Sequence, residues 1–290
     1  MNMKNKLATT ILSLYISKVI RQFAIGLLDL SKTLTRLSKI SSKEKKILER
    51  NIIFKDLHQG NRAFVIVNGP SLNKQDLSIL KNEITFTVSG FWKHSIIHEW
   101  QPTYYCLSDP TFFKGGENIT DFFKNLNSRV TESIFFIPLF RGYDANMKYK
   151  LLPNTKTYYI ASYGSPSANL DVTNLIQGFQ SVSAFALALA IYMGCSPIYL
   201  LGFDHDYLSH RGIDHHFYDG SAIEGHRTAF IPLSQLNTYD GEMRDMLKLW
   251  QNYRSLKEIA LKKNIQIVNV SENSFLDVFE KDSFSKIINK

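Results

Sequence analysis

Short apolar runs that end in small or acidic residues recur along most of this chain. Runs of this kind are typical of the strands of a parallel sheet that is buried on both faces. They lie at residues 63–67, 84–88, 104–108, 133–138, 197–201 and 265–270. An almost wholly apolar helix is predicted over 182–193, closed by Gly194, and a last helix over about 243–263. Because apolar strands joined by helices build a doubly wound sheet, the pattern predicts an α/β fold, with a Rossmann-like domain over residues 51–290.

The first 50 residues follow a different pattern, in which apolar positions recur in alternating steps of four and three. That spacing predicts an amphipathic helix. Its apolar stripe consists of Ile16, Ile20, Phe23, Leu27, Leu30, Leu34 and Leu37. Three uses of this helix stay open: it lies on an anionic membrane surface, it forms a short coiled coil that makes a homo-oligomer, or it docks on its own domain. We treat residues 1–50 as an N-terminal arm, with 41–46 predicted as its hinge to the body.

The net charge of +8 gains its meaning from where it lies along the chain. The arm holds 11 Lys and Arg residues against three acidic ones, so residues 51–290 are balanced. A basic surplus spread over a domain would indicate nucleic acid, whereas a basic amphipathic arm indicates a membrane surface. We therefore expect no nucleic-acid partner.

The expected location is the cytoplasm, at the inner face of the cell membrane. No apolar window is long enough to span a bilayer, and no cleavage site follows the first apolar stretch. Cys106 and Cys195 both lie in apolar runs, which predicts buried thiols in a reducing compartment rather than a disulfide.

Polar residues follow several of the predicted strands. Ligands of doubly wound sheets bind beyond the carboxyl ends of the strands, so these residues are candidates for one binding site. They are Asn68, Gly69 and Ser71 after the first strand, Ser89 after the second, Asp109 after the third, and Asp204 and Asp206 after the strand at 197–201. Gly69 permits a close backbone approach, and Ser71 can cap the next helix, whose amino-terminal amides would face a phosphate; the alternative is an ordinary strand-to-helix turn without a ligand. Ser181 and Ser183 open the apolar helix with the same two alternatives.

Acidic and histidine residues are dense beyond the strand at 197–201. Asp204 and Asp206 form an acid-x-acid loop that can hold Mg²⁺ or Mn²⁺ on a diphosphate. Five of the eight histidines lie between residues 205 and 226, namely His205, His210, His215, His216 and His226. Their spacing fits no zinc pattern, so no residue is assigned to a metal. We interpret the segment as a catalytic loop with one His as general base or acid, or alternatively as a solvated loop without a role.

Three motifs, in their order along the chain, resemble a known group of proteins. The runs VIVNGPSL, LSDPTFF and SVSAFALALAIYMGCSPIYLLGFD resemble the bacterial sialyltransferases that decorate lipooligosaccharides. They equally resemble the wider set of domains similar to an archaeal hydroxymethylpterin diphosphokinase. The resemblance covers about residues 62–206 and 245–270. The donor-binding residues that it implies are Asn68, Gly69 and Ser71 at CMP, and Ser183 at the ribose or phosphate. Asp204 matches the strand-end aspartate of the family.

The chain departs from that family at positions that would contact the donor. Ser89 and Asp109 stand where the family has Asn. Asp206 stands where a Tyr steadies the donor phosphate, although Tyr207 is adjacent. The family's His base precedes the closing helix, where this chain has no His. The histidines that would replace it from the preceding loop are His215, His216 and His226.

The resemblance implies a glycosyltransferase. We expect its donor to be a CMP-linked nonulosonic or related acidic sugar, and its acceptor to be a bacterial surface glycan at the membrane face. The residues expected to carry catalysis are His216, His215, Asp204 and His226. Two alternatives remain. One is a Mg-dependent diphosphokinase that acts on a small hydroxymethyl compound through Asp109, Asp204 and Asp206. The other is a non-catalytic assembly partner that acts through the N-terminal helix.

Overall fold

A single parallel sheet organises the computed structural model, which describes residues 40–164, 170–210, 216–218 and 238–288. Within these residues its strands are β1 (Ala63–Ile66), β2 (Ile84–Val88), β3 (Tyr104–Cys106), β4 (Ile134–Pro138), β5 (Thr157–Ile160), β6 (Ile198–Leu201), β7 (Ile267–Asn269) and β8 (Glu280–Lys281). The sheet order is β5-β4-β3-β2-β1-β6-β7-β8, and every neighbouring pair is parallel. This order confirms the predicted α/β fold with a doubly wound sheet.

Helices and short turns connect the strands. The α-helices in the described residues are α1 (Ser42–Glu49), α2 (Glu117–Arg129), α3 (Gly142–Tyr149), α4 (Val182–Tyr192), α5 (Tyr239–Lys262) and α6 (Phe284–Ile288). Short 3-10 helices lie at Arg50–Phe54, Pro70–Lys74, Leu77–Leu80, Phe91–Lys93, Ser95–His98, Pro110–Phe113, Asn154–Lys156 and Tyr207–His210. The crossovers from β1 to β2 and from β2 to β3 therefore consist of 3-10 turns where the apolar pattern predicted helices.

The sheet separates two hydrophobic cores. Alternate side chains of β1 enter opposite cores, with Ala63 and Val65 on one face and Phe64 and Ile66 on the other. On the first face α4 lies against β1, β2 and β3, and α5 packs on α4. The second face is covered mainly by aromatic side chains from the short turns and from α2. Because both faces are covered, the inner strands are mostly apolar, which is why the sequence shows them as nearly continuous runs.

The helix α4 fixes the centre of the first core. All residues from 183 to 192 are buried, so the helix is apolar on every side rather than amphipathic. It ends at Gly194, whose φ of +77° closes the helix as predicted. Its amino terminus, capped by Ser181, lies at the carboxyl edge of the sheet, where the site described below is found.

Two parts of the chain differ from the sequence prediction. Residues 41–46, predicted as a hinge, begin a helix. Ser41 and Glu44 form a reciprocal capping box, and Leu48 of α1 is buried against the body next to β5. The strands β5 and β8 were not predicted. The first is a four-residue run of Thr, Tyr and Ile, and the second has two exposed charged residues with no apolar pattern to reveal it.

The remaining predictions concern the arm and the thiols. The helix predicted around residues 16–37 lies outside the described residues, and the division at residue 50 stays a prediction. Cys106 and Cys195 are both buried free thiols, as expected. In the described portion, none of the helices combines the length and apolarity needed to cross a membrane.

We expect the packing of α4 to dominate stability. Leu187 is 0% exposed, and Leu187→Ala should lower the free energy of unfolding by about 2–5 kcal/mol because it leaves a cavity in the first core. The matched control is Leu261→Ala on α5, where the leucine is 64% exposed and the change should stay within about 0.5 kcal/mol. Urea unfolding followed by circular dichroism measures both. Equal losses in the two variants would contradict the placement of α4.

Candidate functional site

The centre of the sheet contains a topological switch point. The chain leaves β1 toward β2 on one side and leaves β6 toward β7 on the other, so the loops after these two neighbouring strands diverge. Ligands of doubly wound sheets bind in the crevice at this position. We call the surrounding edge, formed by residues 68–71, 89–90, 181–183 and 202–207, the rim. Asn68, Gly69, Ser71 and Asp204, all predicted site residues, lie within it.

The loops after β1 and β6 touch through two glycines. The Gly69 N–H donates to the carbonyl of Gly202 over 3.0 Å. A Cβ on Gly69 would overlap that carbonyl oxygen and the Asp204 carboxylate, and a Cβ on Gly202 would overlap the carbonyl of Val67. Gly202 also has a φ of +70°, which disfavours other residues. The close approach predicted for Gly69 is therefore made to the neighbouring loop.

Asp204 caps the turn that follows β1. Its carboxylate accepts hydrogen bonds from the Ser71 N–H at 2.8 Å and the Ser71 hydroxyl at 2.5 Å. Asp204 is 7% exposed and Ser71 is 6% exposed, so this contact is almost closed to solvent. A carboxylate at a helix amino terminus occupies the place that a phosphate would take. The turn at Pro70–Lys74 is thus satisfied within the protein, and its anion is Asp204.

Asn68 carries an unsatisfied polar atom at the rim. The residue is 7% exposed, and its side-chain oxygen is buried without a hydrogen-bond partner among the described residues. Its side-chain nitrogen lies 3.5 Å from the Tyr218 hydroxyl. Leaving a buried acceptor unpaired costs about 1–3 kcal/mol, which a donor group on a ligand would recover. This observation fits the binding role predicted for Asn68.

A chain of hydroxyl groups joins the start of α4 to the loop after β6. The Ser181 side chain accepts from the Ser183 N–H at 3.0 Å, and the two hydroxyls are hydrogen-bonded to each other. The Ser183 hydroxyl lies 2.6 Å from that of Tyr253, which lies 2.8 Å from His205 Nε2. Ser183 is thereby linked to a His and a Tyr that stand 48 residues apart in the sequence.

The charge states of His205 and Tyr253, the two ionisable side chains among these hydrogen-bonded groups, follow from their burial. Burial lowers the pKa of His205 to about 4 and raises the pKa of the Tyr253 hydroxyl far above its usual value. Both side chains are therefore neutral near pH 7. The low pKa makes His205 a weak proton acceptor, so we look for a candidate general base among the other histidines.

The short described segment 216–218 brings one such histidine to the rim. The Phe217 N–H donates to the Asn68 carbonyl at 2.9 Å, and the Asn73 side chain donates to the Phe217 carbonyl at 3.1 Å. His216 is exposed and stacks on Tyr218 with ring centroids 5.1 Å apart. The Tyr218 ring also receives the Lys93 ammonium at 4.9 Å. His215 and His226, the other two predicted bases, lie outside the described residues.

The remaining predicted site residues have local structural roles. Ser89 has a φ of +44°, and its carbonyl accepts from the Tyr105 hydroxyl at 2.7 Å. Asp109 accepts from the N–H and hydroxyl of Thr111 at 2.8 and 2.7 Å, which caps the turn at Pro110–Phe113. Asp206 is half-buried, and the exposed Tyr207 donates its hydroxyl to Met246 Sδ at 3.2 Å.

The aspartates do not assemble a metal site in the part of the chain that the structure describes. Asp109 and Asp204 each cap a separate turn, two strands apart in the sheet. Across residues 40–164, 170–210, 216–218 and 238–288, no three His, Cys, Asp or Glu side chains are grouped closely enough to hold an ion. The set of Asp109, Asp204 and Asp206 expected for a diphosphokinase is therefore not formed by these residues.

The residues that form this site lie within a match to a known protein family. The profile of the family described as 6-hydroxymethylpterin diphosphokinase MptE-like matches residues 31–210, which include β1 to β6 and the rim. The chain belongs to the MptE-like family. This match confirms the resemblance that the three motifs indicated. No curated protein matches the chain by sequence.

Solved structures give a more distant likeness. The chain is similar to the sialyltransferase CstII from Campylobacter jejuni in complex with the substrate analogue CMP-3FNeuAc, at 14% identity over 76% of this chain and 85% of that chain, with a TM-score of 0.43. It is similar at the same identity and coverage to the sialyltransferase CST-II with a trisaccharide acceptor and CMP, with a TM-score of 0.42. At this level of similarity no residue role passes from those structures to this MptE-like chain.

Sequence reasoning missed His205 as a partner of Tyr253. His205 was noted only as one of a group of histidines, and Tyr253 falls among the buried positions of α5, such as Leu249 and Leu256, where an aromatic residue indicates core packing. The contact between them joins two distant segments and leaves no trace in local spacing. The helix start at Ser181 and Ser183 was the available signal for this part of the site.

We expect the contact of the two loops to limit which residues the rim tolerates. Gly202→Ala should lower the free energy of unfolding by about 1–3 kcal/mol more than Gly60→Ala, because a Cβ at 202 meets the Val67 carbonyl. Gly60 is the matched control: its φ of +78° is similar, yet a Cβ there meets nothing within 4 Å. Urea unfolding of both variants measures the difference. If both lose the same amount, backbone strain alone explains the glycine at 202.

We expect His205 to make the protein sensitive to acid. Its pKa in the folded state, about 4, lies below the ordinary 6.5, so between these values the unfolded chain binds the proton more strongly. Stability from this residue is present above pH 6.5 and is lost as the pH falls to 4, by at most about 3 kcal/mol. Urea unfolding between pH 4 and 7.5 measures the slope. Because His58 and His94 also have lowered pKa values, the comparison is with His205→Gln, in which this part of the slope should vanish.

Proposed function

We propose that this MptE-like protein is a glycosyltransferase that binds a nucleotide-activated sugar at the rim. The donor is a CMP-linked nonulosonic or related acidic sugar, and the acceptor is a bacterial surface glycan. The observation that carries the proposal is the rim at the switch point, where the buried Asn68 oxygen has no partner among the described residues and the hydroxyl chain from His205 to Ser181 ends. The order of the motifs that form this rim supports the same conclusion.

The charge of the rim favours a donor with a single phosphate. The polar side chains of the rim are an amide, serine hydroxyls, a tyrosine hydroxyl, an uncharged imidazole and the carboxylates of Asp204 and Asp206, of which Asp204 is bonded to Ser71. Hydroxyls and helix-terminal amides can hold one phosphodiester group. The phosphate chain of a nucleoside triphosphate carries more charge and is usually held with Mg²⁺ and Lys or Arg. Because residues 68–71, 89–90, 181–183 and 202–207 include no Lys or Arg, the rim supports a CMP-sugar over ATP.

The reaction is a displacement at the anomeric carbon. A base removes the proton of an acceptor hydroxyl as its oxygen bonds to the anomeric carbon, and the bond from that carbon to the CMP phosphate oxygen breaks. CMP leaves with the electron pair, held by the amides at the start of α4. We assign the base to His216, which is exposed at the rim, with His215 and His226 as the other candidates from the same segment. Asp204 acts by holding the β1 turn in place.

The basic N-terminal arm supports a position at the inner face of the membrane. Its surplus of positive charge and its amphipathic spacing suit an anionic lipid surface, where a surface glycan on a lipid carrier would be found.

A second candidate is a diphosphokinase, which the description of the matched family favours. It would move a diphosphate from ATP to the hydroxyl of a small hydroxymethyl compound, and it would need Mg²⁺. Asp109 accepts hydrogen bonds within its own turn and Asp204 accepts them from Ser71, so acidic residues outside the described ranges would have to complete that metal site.

Nucleotide binding separates the two candidates. In a thermal-shift series with CMP, UDP, GDP and ATP, each with and without Mg²⁺, CMP should raise the melting temperature without metal. At a hundredfold excess over Kd the stabilisation is about 2.7 kcal/mol. Asn68→Ala should reduce the CMP shift, whereas Asn125→Ala on the exposed face of α2 should leave it unchanged.

Two results would overturn the proposal in different ways. Stabilisation by ATP alone, and only with Mg²⁺, would favour the diphosphokinase. If no nucleotide stabilises the full chain, both enzyme assignments fail.

A further inference from the structure

Four side chains form a continuous hydrogen-bonded chain that connects two parts of the rim through the interior. His205 Nε2, the Tyr253 hydroxyl, the Ser183 hydroxyl and the Ser181 hydroxyl are bonded in that order. Tyr253 is 0% exposed and Ser183 is 4% exposed, whereas Ser181 is half-buried. Both ends, His205 and Ser181, are half-buried residues of the rim, and Ser181 is the end at the amino terminus of α4, where backbone amides can hold a phosphate.

Counting hydrogens leaves two possible directions. Each hydroxyl has one hydrogen, so it donates once along the chain and accepts from the other side. If His205 Nε2 carries no hydrogen, it accepts a hydrogen bond from the Tyr253 hydroxyl. Tyr253 then accepts from the Ser183 hydroxyl, and Ser183 accepts from the Ser181 hydroxyl. If Nε2 carries the hydrogen, every bond reverses, and the Ser181 hydrogen is free for a ligand.

The ligand decides between these directions. A phosphodiester oxygen only accepts hydrogen bonds, so a rim that binds one needs donors. We propose that His205 and Tyr253 are positioning residues that turn the hydroxyl hydrogens of Ser183 and Ser181 toward the rim, so that Ser181 donates to the phosphate of the nucleotide. This inference rests on the proposed function and requires the tautomer of His205 with hydrogen on Nε2.

The surroundings hold the chain in one geometry. The Tyr253 ring packs against Phe203, Trp250 and Phe279, with centroids 5.9–6.2 Å apart. His205 has a φ of +53°, a backbone conformation that a non-glycine residue keeps only when its surroundings impose it. It directly follows Asp204, which is bonded to Ser71. Because burial keeps His205 neutral near pH 7, the direction is set by its tautomer.

The first test removes one hydroxyl. Tyr253→Phe keeps the ring and interrupts the chain, so CMP affinity should fall about tenfold, the scale of one hydrogen bond to a charged group. Affinity for cytidine, which has no phosphate, should stay within about twofold. Tyr149→Phe, at an exposed tyrosine, is the matched control. Titration calorimetry on the full chain measures all of these affinities. Equal losses for CMP and cytidine, or no loss for either, would overturn the positioning role.

The second test begins with a measurement on the wild-type protein without ligand, so its result does not depend on whether a variant folds. In the ¹⁵N spectrum of the histidine-labelled wild-type protein at pH 7.5, the hydrogen of His205 should lie on Nε2. A hydrogen on Nδ1 overturns the inference.

His205→Gln, whose amide nitrogen can donate to Tyr253, should retain CMP affinity, whereas His205→Leu should lose it about tenfold. If no nucleotide binds, the proposed function fails, and the direction of the chain is still decided by the spectrum.

Discussion

The contact between the loops after β1 and β6 is the constraint on which the site depends. Gly69 and Gly202 let two backbones meet at 3.0 Å, and the Asp204 carboxylate then lies against Ser71. From this contact the chain continues directly into His205, which reaches Tyr253 on α5. The carbonyl of Asp204 also accepts a hydrogen bond from the Phe275 N–H at 2.8 Å, which holds the loop after β7 at the same position. One close approach thus sets the positions of three loops and of the helix α5.

Because of the same contact, the helix start after β1 and the start of α4 have different roles. The turn after β1 would bind an anion through the Ser71 N–H, but Asp204 already supplies one from inside the protein. The start of α4 is capped by the neutral hydroxyl of Ser181, and its first turn contains no acidic residue. A phosphate can therefore be attracted to α4 without displacing an internal charge. The β1 turn is held by an internal carboxylate, whereas α4 begins with hydroxyl groups that are linked to Tyr253.

Much of this architecture could be predicted from the sequence because its causes are local. The inner strands are mostly apolar since both faces are covered, and α4 is apolar on all sides since it is buried between β1–β3 and α5. The strand β8 could not be predicted, because it pairs only through its backbone with exposed Glu280 and Lys281. The helix α1 could have been predicted. Ser41 and Glu44 have the spacing of a capping box, but the surrounding charges made the segment resemble a hinge.

The site was predictable only as a location. Strand ends gather at one edge of a parallel sheet, so Asn68, Ser71 and Asp204 were expected to meet there, and they do. Their chemistry depends on partners that are distant in the sequence: Asp204 became a capping group because Ser71 faces it, and Ser183 became part of a chain because Tyr253 lies 70 residues further on. A residue type at a strand end therefore indicates where a ligand binds. Whether that residue contacts the ligand depends on how many of its hydrogen bonds the rest of the fold has already taken. By that measure Asn68, with a buried oxygen left unpaired, has capacity for a ligand that Asp204 lacks.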